Sequence, residues 1–367
     1  MHTHITLVGG QTYPIFKVIK TLSPDKVIYI HSNKTKGEAE RIAHEFPTIN
    51  YSFKEFDPYN MNKIMFEATK IFKNLQDKHQ DGDTYSVNIT GGIKVWSIAL
   101  YNLAKSSSLA PNIYYIDQNT VLWNIGSHAT QEQLEIEDVM RVMRLNNNEP
   151  KDYIKFDQLE EEDIKVCKQI DNIMSNGPAL YALLGKVRKQ PSLKEWAVGK
   201  NSLEWDRSNT RFILRIGNKE TILKSRNVRK LLLNAGWFEY KVASYLSKWK
   251  RVKDIYLGLT FKASNNSSKN EIDIIANVGS KLLFVECKTD IANPTDLDKF
   301  KSAVDSYGGS GCMRLFIQNE LIDIDVVEKC NDNEILCFSL KNALPGRTVY
   351  DSLELLLENA INEVNTK

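Results

Sequence analysis

The chain has 367 residues, with 48 lysines and arginines against 46 aspartates and glutamates, and 42% of its residues are hydrophobic. This length is enough for two or three domains, and a net charge of +2 does not by itself indicate a nucleic-acid or membrane partner. The five cysteines are odd in number and form no CxxC pair, which argues against a disulfide framework or a zinc site. We therefore expect reduced thiols in a cytoplasmic protein, with no signal peptide and no membrane-spanning segment.

Residues 1–143 alternate predicted strands with predicted helices. In chain order these are the strand HITLVGG, the helix YPIFKVIKTL, the strand KVIYIHSN, the helix GEAERIAHEF, the strand YSVNITGG, the helix IKVWSIALYNLAKSS, and a hairpin of NIYYID and TVLWNI. Such alternation predicts an α/β domain with a mostly parallel, doubly wound sheet.

Glycines and small polar residues follow three of these predicted strands. The candidate ligand-binding residues at the strand ends are Gly9, Gly10, Gln11, Thr12, Ser32, Asn33, Thr90, Gly91, Gly92 and Lys94. Ligands of open α/β sheets bind outside the carboxyl ends of the strands, where helix N-termini offer N–H groups to phosphate. The pattern predicts a phosphate or nucleotide site, with ordinary strand-to-helix turns as the alternative. Neither GxGxxG nor a Walker A sequence is present, so dinucleotide binding and ATP hydrolysis are unsupported.

Residues 144–225 are predicted to hold a linker and an intermediate segment. The polar, proline-containing stretch RLNNNEPKD at 144–152 is typical of a linker. One or two helices and a short β segment, TRFILRIGNKETIL, are expected to follow. The acidic run Glu160–Asp163 is interpreted as the solvated first turn of a helix, where negative charge also suits the helix dipole. No residue of this middle part is a candidate for chemistry.

Residues 226–367 are predicted to form a second α/β domain that begins with two helices. Gly236 is expected to end the first helix and Trp237 to open the second. Glu239 falls on the packed side of the second helix, where a carboxylate is costly unless it is paired or binds a metal. The stretch Lys224–Lys253 contains nine basic residues and one acid, which suits either a phosphate backbone or a solvated helix face.

The segment EIDIIANVGSKLLFVECK then places charges inside a predicted β-hairpin. A two-residue turn at 279–280 sets Asp273 opposite Glu286, and alternation puts Lys288 on the same face. Two carboxylates this close need a proton or a cation between them, and Mg²⁺ is typically held by one or two carboxylates with waters and phosphate oxygens. The alternative is a surface hairpin in which Glu271 simply pairs with Lys288.

These C-terminal residues resemble the core of the PD-(D/E)xK nucleases. Asp273, then Glu286-Cys287-Lys288 one strand later, with Glu239 in an upstream GWFE sequence, matches that motif, with an isoleucine in place of its proline. The resemblance implies a restriction-endonuclease-like α/β fold. It also implies Mg²⁺ or Mn²⁺ held by Asp273, Glu286 and the backbone carbonyl of Cys287. Lys288 would be the catalytic lysine and Glu239 a further catalytic acid.

The N-terminal part resembles a CARF domain, the cyclic oligoadenylate sensor of CRISPR systems. The resemblance lies in the glycine turn after the first strand and the later TGGxK-like turn. It implies a Rossmann-like fold and a homodimer with the ring-shaped messenger across its axis. Together the two parts resemble the type III CRISPR ancillary nucleases activated by cyclic tetra-adenylate. The implied substrate is DNA, as single strands or by nicking, with RNA as a further candidate.

Two other functions stay open on the residues alone. The chain could be a non-enzymatic, nucleotide-regulated DNA-binding protein whose hairpin charges are structural. It could also be a constitutive restriction or repair nuclease whose N-terminal domain only docks a partner. Chelation of metal would abolish activity only in a metal-dependent enzyme, and a requirement for the messenger would exclude the constitutive nuclease. No clear acid or base for degrading the messenger is present.

Overall fold

The computed structural model describes residues 1–117, 120–125, 131–146, 148–262, 268–289, 293–308 and 312–366. They divide into two compact units. The first is Met1–Glu149 together with Gly279–Lys281 and a short segment from Tyr307, and the second takes up the rest of the chain from Pro150. Within the described ranges, none of the helices has the length and apolar character needed to cross a membrane.

The first unit is built on one sheet. Its elements are β1 (His2–Leu7), α1 (Tyr13–Leu22), β2 (Lys26–His31), α2 (Lys36–His44), β3 (Asn50–Glu55), α3 (Met61–Asp77), β4 (Thr84–Asn88), α4 (Lys94–Ser106), β5 (Asn112–Ile116), β6 (Val121–Asn124), β7 (Gln131–Gln133) and α5 (Val139–Leu145). The described strands lie in the order β3-β2-β1-β4-β5-β6-β7. The pairings from β3 to β5 are parallel, whereas β6 and β7 add antiparallel strands at one edge.

Apolar side chains on both faces of this sheet explain why it is wound in both directions. Ile5 and Leu7 of β1 pack in one core with α3 and α4, and Val27 and Tyr29 of β2 pack in another with α1 and α2. The predicted doubly wound α/β domain is therefore confirmed, including the β5–β6 hairpin. The edge strand β3 was not predicted, because its side chains are mostly exposed and show no apolar run.

The second unit contains two described sheets. Its elements are β8 (Pro150–Lys155), α6 (Glu161–Ser175), α7 (Ala179–Lys189), β9 (Glu195–Val198), β10 (Asn201–Asp206), β11 (Arg211–Ile216), β12 (Lys219–Lys224), α8 (Val228–Leu233), α9 (Gly236–Leu246), β13 (Asp254–Lys262), β14 (Ser268–Asn277), β15 (Leu282–Lys288), α10 (Pro294–Tyr307), β16 (Met313–Gln318), α11 (Ile324–Asp332), β17 (Leu336–Ser339) and α12 (Val349–Thr366). One sheet has the order β17-β16-β15-β14-β13-β8, and the other has the antiparallel order β12-β11-β10-β9.

The middle of the chain contains more β structure than its sequence predicted. The stretch interpreted as a linker ends in β8, which pairs with β13 at the edge of the larger sheet. The short β segment expected after the helices is half of a four-stranded sheet that also includes β9 and β10. The acidic run does begin α6, as predicted, although Asp163 is buried and bonded to Asn227 instead of solvated.

The turn between α8 and α9 differs from its prediction. Gly236 is the first residue of α9, and the left-handed residue between the helices is Ala235, with φ of 61°. A Cβ on Gly236 would lie 3.2 Å from the Cα of Leu231. The glycine is thus needed for the close approach of the two helices and not for a helix end.

The predicted register of the β14–β15 hairpin is confirmed over the ladder. Ile274 pairs with Val285 and Asn277 with Leu282, as the turn at 279–280 requires. The described ladder ends at the Ile274–Val285 pair, so Asp273 and Glu286 lie one residue beyond it. From there β15 continues in parallel beside β16.

The glycine turns of the first unit generate a stability prediction. A Cβ on Gly91 would lie 2.1 Å from the carbonyl oxygen of Leu7, whereas a Cβ on Gly10 would meet nothing within 4 Å. Gly91→Ala is therefore expected to lower the free energy of unfolding by about 1–3 kcal/mol, because backbone must move. Gly10→Ala, the matched control, should change it by less than about 0.5 kcal/mol. Equal urea midpoints for the two variants would contradict this packing.

Candidate functional site

The glycine turns of the first unit lie at the point where the strand order of its sheet reverses. β1 and β4 are neighbours, with β2 and β3 continuing on one side and β5 on the other. The connections leaving β1 and β4 therefore diverge, which opens a crevice at the carboxyl ends of the strands. The turn after β1 carries Gly9 and Gly10, and the turn after β4 carries Gly91 and Gly92. The structure thus brings the two predicted turns together.

Backbone contact between these turns depends on their glycines. A Cβ on Gly9 would lie 2.9 Å from the amide nitrogen of Gly92. Gly92 has φ of +72°, and a Cβ there would lie 2.8 Å from the ring of Trp96. A side chain at either position would force the turns apart, so the two turns can stay in contact at the base of the crevice only with glycine here.

Three of the predicted polar residues hold the loops in place. The Thr12 hydroxyl donates to Asn146 Oδ1 at 2.9 Å. Thr90 donates its hydroxyl and its amide to Asn88 Oδ1 at 2.6 and 3.0 Å. Ser32 forms a reciprocal capping box with Thr35. These side chains have protein partners, which indicates a positioning role for them.

Other predicted residues at these strand ends are exposed. Gly10, Gln11, Asn33 and Lys94 are exposed. Neither α1 nor α4 has a side-chain hydrogen bond at its N-cap, so the first N–H groups of both helices can meet an anion. The assignment of these ten residues to a ligand stays a prediction.

A cleft of about 290 Å³ in the second unit contains most of the predicted catalytic residues. It is formed by α7, the turn before α9, α9 itself, the middle of β14 and the end of β15. Its lining residues are Arg188, Asn234, Ala235, Glu239, Asp273, Cys287, Lys288 and Thr289. The helix and the hairpin, which are separate in the sequence, therefore supply one site.

Hydrogen bonds fix the acidic groups at the end of the hairpin. The amide of Cys287 donates to Asp273 Oδ2 at 2.7 Å. The Lys288 ammonium lies 2.8 Å from Glu286 Oε1, and the Glu286 side chain is only 15% exposed. Glu239 is 8% exposed, so it faces the packed side of α9 as predicted. The structure therefore brings these predicted residues together, and their catalytic roles stay predictions.

Burial, together with the negative charge that these acids share, raises their pKa values. Burial raises the pKa of Glu239 to about 7, against a partly opposing charge from Lys230. Burial, reinforced by Glu286 and Glu239, raises the pKa of Asp273 well above its ordinary value. Burial also raises the pKa of Glu286, and Lys288 opposes this. Such a cluster favours a bound proton or a bound cation.

The donor set fits a hard divalent cation. Asp273 and Glu286 offer carboxylate oxygens, and burial raises the pKa of the Cys287 thiol so far that it stays neutral. The backbone carbonyl of Cys287 is then its available ligand. The described residues hold no preformed group of three His, Cys, Asp or Glu ligands. A Mg²⁺ site that uses two carboxylates with waters and phosphate oxygens does not need one.

Two features beside this site were missed in the sequence. Lys230 on α8 lies with its Nζ 3.6 Å from Glu271 Oε1. Gly258 of β13 falls opposite Asp273 in the register, and a Cβ on it would lie 2.5 Å from Lys230 Nζ. A glycine inside the apolar run IYLGLTF was the available signal, because such glycines mark a close approach.

Two family models match the parts of the chain that carry these candidate sites. Residues 3–174 match the family model of the Card1 CARF domain, and residues 226–328 match that of the Card1-like endonuclease domain. The chain joins a Card1-type CARF domain to a Card1-like endonuclease domain. None of the curated proteins compared with it matches.

Solved structures share the fold of this CARF–endonuclease chain over almost its whole length. Can2 from Sulfobacillus thermosulfidooxidans, solved in complex with cyclic tetra-adenylate, is 15% identical with a TM-score of 0.72, covering 98% of this chain and 99% of its own. Protein VC1899 from Vibrio cholerae is also 15% identical with a TM-score of 0.72, covering 98% and 97%. At this identity the likeness establishes the fold alone.

The buried acid on α9 of the endonuclease domain generates a pH prediction. The pKa of Glu239 is about 7 in the folded chain against 4.5 in the unfolded chain. The folded state therefore holds this proton more tightly, and stability is lost as the pH rises through about 7. Without metal, Glu239→Gln should raise the free energy of unfolding by up to about 3 kcal/mol at high pH and much less at low pH.

Chemical denaturation in a chelating buffer at two pH values measures this difference. The matched control is Glu271→Gln, which removes an exposed carboxylate that forms a weak surface pair. It should leave stability nearly unchanged. A Glu239→Gln variant whose stability tracks the wild type at both pH values would contradict the burial of an ionisable group there.

Proposed function

We propose that this chain is a metal-dependent nuclease activated by a cyclic oligoadenylate. The observation that carries the proposal is the cleft lined by Glu239, Asp273 and Lys288, with Glu286 paired to Lys288, inside the part of the chain matched to the Card1-like endonuclease domain. Buried acids of like charge destabilise a fold unless they bind something. A module that only binds DNA has no need of them, so the cleft favours catalysis.

The residues of the cleft divide the work of phosphodiester hydrolysis. Asp273, Glu286 and the carbonyl of Cys287 would hold Mg²⁺ or Mn²⁺, with Glu239 as a further acid. When bound, the metal supplies Lewis acidity and a water of lowered pKa. Lys288 places its ammonium beside the site to stabilise negative charge on the phosphoryl group. A P–O bond forms to the water oxygen and the P–O bond to one sugar breaks. The proton that the water loses ends on the leaving sugar oxygen, so one product ends in a hydroxyl and the other in a phosphate.

The activator site is assigned to the crevice of the CARF domain. Its glycines let a ligand approach the backbone, and Lys94 and two helix N-termini favour phosphate. Can2, which shares the fold, is known in complex with cyclic tetra-adenylate, which makes that ring the first candidate. The apolar residues Ile93, Val95 and Ile98 are exposed beside the crevice, which favours a second copy of the chain across the ring.

Activation requires that the ring binds one state of the dimer better than the other. The free energy available for the switch is the difference between the two binding free energies. We therefore assign the ring to the regulatory site and the nucleic acid to the endonuclease cleft. DNA is the expected substrate, as single strands or by nicking, with RNA as a second.

Cleavage depends on the cleft residues in this proposal. Glu286→Ala and Lys288→Ala should each lower the cleavage rate at least about 100-fold, because each removes a group that acts on transition-state charge. Lys299→Ala is the matched control, since Lys299 is an exposed lysine of α10. The assay uses single- and double-stranded DNA and RNA with Mg²⁺ or Mn²⁺, each with and without cyclic tetra- and hexa-adenylate.

The same assay separates the rival functions. Cleavage that survives both alanine changes with metal present would refute the assignment of the site. Equal rates with and without the ring would indicate a constitutive nuclease, and binding without any cleavage would indicate a regulator. Retained ring binding by the two variants shows that their CARF domains are intact.

Binding of the activator depends on Lys94. Lys94→Ala should weaken cyclic tetra-adenylate binding about 10-fold, the effect of one charged hydrogen bond. Lys105→Ala, at the opposite end of α4, should leave it unchanged. Titration calorimetry should give one ring per two chains, as a dimer site requires. Equal affinities of the two variants, or one ring per chain, would contradict the proposed crevice.

A further inference from the structure

We propose that Arg188 on α7 binds a backbone phosphate of the nucleic-acid strand in the cleft, which makes the middle of the chain part of the active site. This inference rests on the proposed nuclease function. Arg188 lies in residues 175–225, which neither matched family model covers. It is exposed and lines the cleft together with Asp273, Glu239 and Lys288.

A chain of hydrogen bonds ties α7 to the strand that carries Lys288. Asn319 donates its side-chain amide to the Tyr181 hydroxyl of α7 at 3.0 Å. The backbone amide of the same Asn319 donates to the carbonyl oxygen of Lys288 at 2.9 Å. The helix is therefore anchored to the active-site strand through one asparagine.

Helical periodicity puts Arg188 on the anchored side. Tyr181 and Arg188 are seven residues apart, about two turns, so they lie on nearly the same face of α7. Leu183, Leu184 and Val187 of the same helix are buried in the core. Because its apolar side is fixed and Tyr181 is bonded, α7 holds Arg188 at the cleft on a rigid element.

A phosphate strand in the cleft needs more positive charge than Lys288 supplies. Glu239, Asp273 and Glu286 repel a phosphate strand, and the Lys288 ammonium is already 2.8 Å from Glu286. An arginine presents a planar fork of donors that matches two oxygens of a phosphate. Arg188 adds such a fork at the rim, next to the position where the strand must pass.

The alternative is that Arg188 only neutralises the acids of the cleft, a role that the binding and the stability of its variants distinguish from a substrate contact.

Binding of a fluorescent single-stranded oligonucleotide tests the proposal in the full-length Lys288→Ala chain with cyclic tetra-adenylate present. Arg188→Gln should weaken binding about 10-fold and reduce the slope of log K against log salt by about 0.7, the loss of one phosphate contact. Arg188→Lys should recover part of the affinity. Lys189→Gln, the matched control, removes the neighbouring exposed charge of the same helix and should change binding less than about 2-fold.

In the chain with Lys288 intact, Arg188→Gln should raise KM for cleavage with a smaller change in kcat. If Arg188 had a structural role, Arg188→Gln would instead lower the urea midpoint. A destabilised Arg188→Gln variant, together with an Arg188→Lys variant that binds the oligonucleotide as tightly as the parent chain, would overturn the proposal. Equal affinities and equal salt slopes for Arg188→Gln and Lys189→Gln would also overturn the proposal. If both variants still cleave normally, that result leaves the proposed nuclease function intact. Absence of cleavage and binding by the parent chain would refute both.

Discussion

The repulsion between like-charged carboxylates buried at one end of the β14–β15 hairpin is the main constraint on the structure of the endonuclease domain. The backbone amide of Cys287 and the ammonium of Lys288 oppose that repulsion only in part. Neighbouring elements accommodate the cluster. Gly258 leaves out a side chain opposite Asp273, which admits the ammonium of Lys230. The turn before α9 holds Ala235 in a left-handed conformation at the cleft, a strain that the surrounding packing must outweigh.

The candidate site of the CARF domain is built mainly from uncharged backbone and not from buried charges. Its two glycine turns meet at the reversal of strand order, and their contact excludes side chains from the floor of the crevice. The polar groups there divide into those that hold loops, such as Thr12 and Thr90, and those that face solvent, such as Lys94. In the proposed function, such a site binds phosphate through backbone N–H groups together with the ammonium of Lys94.

The two sites therefore suit a regulated enzyme. A partly compensated carboxylate cluster costs stability when no metal is bound. The exposed apolar residues Ile93, Val95 and Ile98 at the start of α4 cost solubility when no second copy covers them. Both costs are reduced by the ligands and the partner that the proposed function supplies. In the proposed function, stability and activity are linked through binding, as mass action requires of any ligand that prefers the folded state.

Local rules in the sequence determined much of this protein. Alternation with a period of two and a two-residue turn set the hairpin register and the shared face of its charges, and the helical period put Glu239 inward. Only the tertiary structure decided which distant segments meet. Three contacts join residues far apart in the chain: β8 pairs with β13, Lys230 lies against Gly258, and Arg188 lines the cleft. No local periodicity records such contacts, because they depend on how complete elements pack and which backbone can approach which.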